Sequence, residues 1–200
     1  QTGSLVHKIT FDGTKAVAVT YMSGSGALKS VQARKEIILS AGAVGSPHIL
    51  MLSGIGPAAH LQDTGIDVLH DLPGVGQNLN DHPDFVLKYK CKRPVSIWPK
   101  TKGLAKLGAG IQWILTRRGI VSSNGFEGLG CIRSGKDVDY PDLQIIITPI
   151  AVDDATWTPL QEHAFQIHVG LMRAHSRGSI ELRSSNPNDP PHILVNYLKD

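Results

Sequence analysis

Along the first forty residues, hydrophobic and polar positions alternate with the period of two that is typical of β-strands. Residues 5–10 and 17–21 both show this alternation, and Asp12-Gly13 between them is a hairpin signal because both residues tolerate a positive φ. Gly24-Ser25-Gly26 indicates a second turn. The run EIILSAG (residues 36–42) begins with apolar side chains, as does a strand covered on both faces in a parallel sheet. The pattern therefore predicts a hairpin followed by an inner strand.

The stretch SAGAVGSPHILMLSGIG (residues 40–56) predicts a strand that turns directly into a helix. Ser46 is expected as the N-cap, Pro47 as the first helical residue and Ser53-Gly54 as the helix end. The small residues allow the backbone to approach a bulky ligand, and a helix N-terminus favours an anion such as a phosphate. A tight turn that binds no ligand explains the same residues equally well. A second short helix is expected after Pro57, and a strand with a glycine-rich loop over residues 66–83.

The pattern changes after Asp81, where we place a domain boundary. Residues 85–92 alternate as a half-buried antiparallel strand does, and residues 102–119 have the 3.6-residue period of a helix. Four further strands are expected, in FEGLGCIRS, DLQIIITPIAV, AFQIHVGLMRA and GSIELRSSNP. The second half is therefore predicted to be an antiparallel sheet with a helix against it, which divides the chain into domains of residues 1–80 and 81–200.

Composition excludes several classes of function. The chain has 41% hydrophobic and 18% charged residues, which is typical of soluble globular proteins. Its net charge is +3, and the sequence contains no run of five consecutive basic residues. We therefore expect no nucleic-acid partner. Cys91 and Cys131 are far apart and form neither a disulfide framework nor a metal pattern.

The sequence also predicts where the protein is located and whether the chain is the whole protein. It contains no apolar stretch of 18 residues and no signal peptide, so a cytoplasmic or peripherally membrane-associated location is expected. Because the chain opens without methionine and stops at NYLKD, we expect it to be a piece of a longer protein.

Two motifs resemble signatures of the glucose–methanol–choline (GMC) family of flavoenzymes. GAVGSPHILMLSGIG (residues 42–56) matches the family's second signature, in which small residues precede Ser-Pro, aliphatic residues and a final Ser-Gly-aliphatic-Gly. PGVGQNLNDH (residues 73–82) resembles the Asn-Leu-x-Asp-His loop that follows it. RGIVSSNGFEGLGCIRS, FQIHVGLMRAHSRGSIELRS and PHILVNYL are similar to the choline-oxidising branch of the family. The resemblance extends over residues 6–197.

The resemblance implies a mixed α+β and α/β fold. A partial, Rossmann-like FAD-binding domain (residues 1–80) would precede an antiparallel-sheet substrate-binding domain with helices on one face (residues 81–200). FAD is the implied cofactor of the longer protein, and the chain by itself is expected neither to retain it nor to react. Cofactor contacts are implied for Val6, Ala41, Gly42, Asn78, Asp81 and His82. For His82, a hinge role without cofactor contact is the alternative.

Glu127 is the implied substrate-binding residue. In choline-oxidising relatives a glutamate at this place faces the quaternary ammonium, which cannot donate an N–H hydrogen bond and needs a negative charge or an aromatic face. Related enzymes for other alcohols carry the same glutamate, so it does not fix the substrate. The alternative is a structural glutamate paired with Arg133 or Arg173, because a buried carboxylate is costly without a partner. His168 is interpreted as a sheet histidine.

Two parts of the family's machinery do not occur in this sequence. The dinucleotide fingerprint Gly-x-Gly-x-x-Gly is not found, and the catalytic histidine is expected beyond Asp200, so no catalytic residue and no metal ligand is assigned. The resulting hypothesis is FAD-dependent oxidation of the CH–OH group of choline to betaine aldehyde, with an undetermined electron acceptor. Another primary alcohol as substrate is one alternative, and a flavin-free binding or structural module is another. Open sheet edges predict that the chain alone either dimerises through those edges or rearranges its first 80 residues.

Overall fold

The computed structural model describes residues 2–199 and shows a mixed α/β protein with antiparallel sheets. It contains two compact units. The first comprises the chain as far as Asp81 and again from His175 onwards, and the second comprises His82–Ala174. Each unit is described by itself.

The first unit begins with an antiparallel sheet of three consecutive strands, β1 (Leu5–Asp12), β2 (Lys15–Met22) and β3 (Leu28–Gln32). Asp12 pairs with Lys15 across the first turn, where Gly13 has a φ of +57°. Gly26 in the second turn has a φ of +79°. Both turns therefore use glycine for a left-handed conformation that other residues rarely adopt, and the predicted hairpin and second turn are confirmed.

The inner strand predicted over EIILSAG is wrong for this structure. Residues 33–41 form no regular strand, and the side chain of Ile38 is 78% exposed. A strand exists only where a neighbour completes its ladder of hydrogen bonds, and no strand within residues 2–199 pairs with this segment. Apolar composition alone is therefore not sufficient for strand formation here.

Helix α1 (Gly42–Leu52) begins five residues before the predicted start. The N-cap is Ala41 rather than Ser46, and Pro47 lies inside the helix. The hydroxyl of Ser46 instead accepts a hydrogen bond from the N–H of Ala41 at 3.1 Å. As the sixth helical residue, Pro47 lacks the N–H that would bond to the carbonyl oxygen of Ala43, so a proline is tolerated beyond the first turn here and does not define the first helical residue. The predicted end is confirmed, with Ser53 as the C-cap and Gly54 at a φ of +85°.

Four short elements follow in the first unit: β4 (Ile55–Gly56), α2 (Ala58–Asp63), β5 (His70–Asp71) and β6 (Gln77–Leu79). Helix α2 confirms the short helix predicted after Pro57. Strands β4 and β5 form a parallel pair, and the glycine-rich loop lies between β5 and β6.

The second unit is built on a four-stranded antiparallel sheet. Its strands are β7 (Asp84–Lys90), β8 (Gly128–Ile132), β9 (Leu143–Thr148) and β10 (Ala164–Leu171), in the spatial order β7-β10-β9-β8. Between β7 and β8 the chain forms helix α3 (Gly103–Thr116), flanked by 3-10 helices at Trp98–Thr101 and Ile120–Ser122. Helix α3 is confirmed, but it contacts the two 3-10 helices and its apolar face is exposed rather than packed on the sheet.

The fourth strand predicted for the second half joins a different sheet. Strand β11 (Gly178–Glu181) pairs with β12 (His192–Leu194) on one side and with β6 on the other. Ile180 of β11 lies in the main core of the first unit, with Met51, Leu52, Leu61, Val75 and Leu182. The compact units therefore differ from the predicted division at residue 80, because the segment after Ala174 returns to pair and pack with the first unit.

Candidate functional site

A cavity of about 270 Å³ lies on one side of the start of α1. Val6 and Ala41, two of the predicted cofactor-binding residues, both line it. Most of its other lining side chains are aliphatic, from β1, β2, residues 37–39 and α1. The structure thus brings two residues that are 35 positions apart in sequence to one apolar cavity.

The backbone at the start of α1 is open. Gly42 has a φ of +80°, and no heavy atom lies within 4 Å of the position that a Cβ would occupy. Ala41 provides no side-chain hydrogen bond to the first turn. The first N–H groups of a helix have no partner inside the helix and carry its positive dipole end, so this turn offers donors to an external acceptor.

A second cavity, of about 320 Å³, is lined by Ala43 and Pro47 of α1 and by residues 76–80. Asn78 lines this cavity with a φ of +59°, a left-handed conformation that asparagine tolerates better than most residues. The loop before it is fixed by Ile180, whose N–H donates to the carbonyl oxygen of Gly76 at 2.7 Å. Val6, Ala41, Gly42 and Asn78 are therefore all close to the first turn of α1.

Asp81 is held by the last described segment of the chain. The hydroxyl of Tyr197 donates a hydrogen bond to its Oδ2 at 2.6 Å. That hydrogen bond raises the pKa of Tyr197, because the phenol must stay protonated to donate it. The hydrogen bond between Tyr197 and Asp81 therefore links the loop after β6 to the last residues of the first unit.

In the second unit, His82 lines a cavity of about 370 Å³ over the sheet. Asp84 and His168 line the same cavity, and the rings of Phe126 and Trp157 form part of its wall. The cavity therefore combines a carboxylate, two imidazoles and aromatic surface. His82 lies among groups able to contact a small polar molecule.

Asp84 and His168 belong to a directed chain of hydrogen bonds. The N–H of Val152 donates to Gln166 Oε1 at 3.1 Å, so the amide nitrogen of Gln166 faces His168 Nε2, 2.7 Å away. An amide nitrogen only donates, so His168 Nε2 must accept, and the ring proton resides on Nδ1. Nδ1 then donates to Asp84 Oδ2 at 2.6 Å. The arrangement fixes the tautomer of neutral His168.

Glu127 is exposed, which differs from the buried setting considered for it. Its N–H donates to the carbonyl oxygen of Ile147, and the hydroxyl of Ser123 donates weakly to its carboxylate at 3.4 Å. Within the described part of the chain, no cation forms an ion pair with it.

The pairing of Glu127 with Arg133 or Arg173 is therefore not observed. Arg133 donates to the carbonyl oxygen of Val138, and Arg173 lies over the ring of Tyr140 at 4.3 Å. The exposed carboxylate of Glu127 needs no buried partner, because water already solvates it.

Sequence reasoning did not single out Asp84, Gln166 or Trp157. Gln166 and His168 are two residues apart on one strand, so the period of two placed them on one face of the sheet. Asp84, by contrast, reaches them only because β7 pairs with β10, which no local pattern reveals.

The described part of the chain contains neither a metal-binding cluster nor a membrane-spanning helix. Across residues 2–199, no group of three or more His, Cys, Asp or Glu side chains could hold a metal ion. Nor does this range contain a helix that is both long and apolar enough to cross a bilayer.

Comparisons with known proteins agree with these features. A family model described as GMC oxidoreductase matches residues 1–84. The chain is 43% identical over 198 residues to a protein named oxygen-dependent choline dehydrogenase from Serratia proteamaculans (strain 568), an alignment that covers 98% of the chain and 36% of that protein. The chain therefore spans little more than a third of the length of this curated relative.

Solved structures share the fold. A formate oxidase superposes with a TM-score of 0.89 at 23% identity, over 98% of this chain and 39% of the other. An FAD-dependent oxidoreductase from Chaetomium thermophilum superposes with a TM-score of 0.76 at 26% identity, over 96% of this chain and 40% of the other. Since the motif around α1, the family model and the relatives agree, the chain belongs to the GMC oxidoreductase family.

Proposed function

We propose that the whole protein is an FAD-dependent oxidoreductase that oxidises the CH–OH group of choline to betaine aldehyde. The observation that carries this proposal is the 43% identity to a protein named choline dehydrogenase, which extends over both compact units. When bound, FAD would accept the hydride from the alcohol carbon. Choline would be the small-molecule substrate, and its hydroxyl proton would pass to a base as the hydride leaves the carbon.

The first unit would hold the cofactor through residues around α1. The open backbone at Gly42 and the unpartnered first turn suit the pyrophosphate of FAD, which carries negative charge and needs close approach. Val6 and Ala41 would contact the adenosine part through their apolar cavity. Asn78 and Asp81 would orient the loop after β6, and His82 stays a predicted cofactor contact.

The second unit would hold the substrate. A quaternary ammonium is recognised by negative charge and aromatic faces, and Glu127 offers an exposed carboxylate next to Phe126. The ring of Trp157 adds aromatic surface to the cavity that Phe126 lines. Glu127 would therefore attract the ammonium group, while the aromatic wall of the cavity would contact its methyl groups.

The test of this proposal is the visible spectrum of the purified whole protein under anaerobic conditions. We expect a flavin absorption band that bleaches when choline is added, because the bound flavin is reduced. A band that bleaches only with another primary alcohol would retain the oxidoreductase class and overturn choline as substrate. Absence of any flavin band would overturn the assignment of FAD and favour a flavin-free module.

The role of Glu127 is tested by Glu127→Gln. Removal of one charge near a bound cation should raise KM for choline about tenfold, with a smaller change in kcat. Glu162→Gln is the matched control, because Glu162 also belongs to the second unit and its carboxylate pairs with Lys90. Equal effects of the two variants on KM would contradict a specific contact of Glu127 with the substrate.

A further inference from the structure

Helix α3 presents its apolar side chains to solvent. Leu104, Leu107, Ile111, Ile114 and Leu115 are between 49% and 86% exposed. With 3.6 residues per turn, these five positions fall within an arc of about 100° on the side opposite Ala109. Ala109 is the one residue of the helix that is buried. The helix therefore turns Ala109 and the half-buried Trp113 toward the protein and its large aliphatic side chains outward.

The segment around α3 is uniformly basic. Residues 92–126 contain no aspartate or glutamate but hold seven exposed cationic side chains: Lys92, Arg93, Lys100, Lys102, Lys106, Arg117 and Arg118. The remainder of the chain holds more acidic than basic residues, although the whole chain has a net charge of +3. Positive charge is therefore concentrated at both ends of the exposed apolar face.

Two tryptophans lie beside these charges. The Lys102 ammonium lies 3.6 Å from the ring centroid of Trp98, and the Arg117 guanidinium lies 4.5 Å from that of Trp113. Both indoles are half-buried. Trp113 lies on the side of α3 that faces the protein, whereas Trp98 precedes the helix, and tryptophan rings beside lysine are enriched where a protein meets the boundary between lipid headgroups and acyl chains.

We propose that α3 is a docking surface for a bilayer that contains anionic lipids. The helix would lie in the plane of the interface, with its aliphatic face among the acyl chains and its flanking cations against the headgroups. Its 14 residues span about 21 Å, which is shorter than the hydrocarbon core of a bilayer. The contact is thus peripheral, and it is independent of the substrate proposed for the protein.

Charge decides between this occupant and a second copy of the chain. Two copies that met through α3 across a two-fold axis would bring like charges together, and residues 92–126 hold no carboxylate to neutralise them. An anionic membrane supplies both the apolar phase and the opposite charge. The observations therefore favour lipid over self-association.

The test is co-sedimentation of the whole protein, with its cofactor, with two kinds of vesicle. One kind is pure phosphatidylcholine, and the other contains about a third phosphatidylglycerol, a composition that gives a negative surface potential. We expect at least tenfold tighter binding to the anionic vesicles, with binding weakened by added salt because surface charges are screened.

Substitutions in and next to α3 test whether this helix is the surface that contacts the bilayer. The pair Leu107→Ser with Ile111→Ser, and separately Lys106→Glu with Arg118→Glu, should each reduce the bound fraction at least fivefold at fixed lipid. Leu28→Ser with Lys29→Glu is the matched control, since both residues are exposed on β3 of the first unit. The control should bind as the unaltered protein does, and circular dichroism should show that all variants are folded.

Several outcomes would overturn the proposal. Equal binding to both kinds of vesicle would show that anionic lipid is not required. Absence of binding to either kind would mean that another part of the whole protein covers α3. Binding unaffected by the α3 variants would place the contact elsewhere. A dimer seen by light scattering without lipid, and lost in the Leu107 and Ile111 variant, would make a second copy the occupant.

Discussion

At the scale of single residues, His48 of α1 is expected to report on protonation in the first unit. Partial burial lowers the pKa of its imidazole from the ordinary value of 6.5, because the charged form is less well solvated there. The folded state therefore favours neutral His48. This contribution to the free energy of unfolding is present above pH 6.5 and is lost as pH falls through the lowered pKa.

The shift of His48 is measurable by NMR. We expect the ring-proton resonance that disappears in His48→Asn to titrate with a midpoint below 6.5. The free energy of unfolding of His48→Asn should also fall less between pH 8 and pH 5 than that of the unaltered protein. A midpoint at or above 6.5 would show that the imidazole is better solvated than its burial indicates.

The hydrogen-bond chain of the second unit makes Gln166 a structural residue. Gln166→Leu leaves the N–H of Val152 and His168 Nε2 without their partner, and an unsatisfied buried polar group costs about 1–3 kcal/mol. Gln144→Leu is the matched control, because Gln144 lines the same cavity from β9. Denaturant unfolding should show the larger loss for Gln166→Leu, and equal losses would contradict the assigned chain.

At the scale of elements, contact between the loop before β6 and β11 depends on a glycine. Gly76 has a φ of +79°, and a Cβ built there would lie 2.2 Å from the carbonyl oxygen of Ile180. Gly76→Ala should therefore lower the free energy of unfolding by more than about 2 kcal/mol, through backbone strain and overpacking together.

Gly74 provides the control for this prediction within the same loop. Its φ is not positive, and no heavy atom lies within 4 Å of its Cβ position. Gly74→Ala should change the free energy of unfolding by no more than about 0.5 kcal/mol. If thermal or denaturant unfolding showed similar losses for both substitutions, loop entropy rather than the close approach to β11 would explain them.

The segment of residues 36–41 shows how an element depends on its neighbours. Its apolar side chains suit an inner strand, yet it remains without a ladder partner in the part of the chain that the structure describes. Dimerisation of the isolated chain through exposed strand edges stays a prediction, since an unpaired edge presents unsatisfied N–H and C=O groups.

At the scale of the whole molecule, the return of the chain after Ala174 makes the first unit discontinuous. Ile180 is 2% exposed in the core with Met51 and Leu61, so Ile180→Ala should cost about 2–5 kcal/mol. Hydrogen exchange should lose protection over residues 42–79 and keep it over the strands of the second unit. Ile193→Ala, at a 46% exposed position of β12, should have little effect.

Loss of protection over residues 128–171 in Ile180→Ala would contradict the observed units. It would indicate that the segment after Ala174 stabilises the second unit, as the predicted division at residue 80 implied. The measurement therefore distinguishes the sequence-based boundary from the structural one.

The sequence by itself determined the local elements and the family. The period of two in β1, β2, β7 and β10, the period of 3.6 in α3 and the glycines in turns are set by backbone geometry within a few residues. The fifteen residues from Gly42 to Gly56 resemble the second signature of the GMC family, and the family model and the relatives agree with that resemblance.

Only the tertiary structure decided which elements meet. The sheet joined by β11 and the meeting of Asp84 with His168 depend on partners that are distant in sequence. The start of α1 was missed because Ser46 and Pro47 have a local preference for the N-cap and first helical positions, which the observed helix overrides. Local propensities are short-range, whereas pairing and burial are fixed by contacts between segments that the chain brings together on folding.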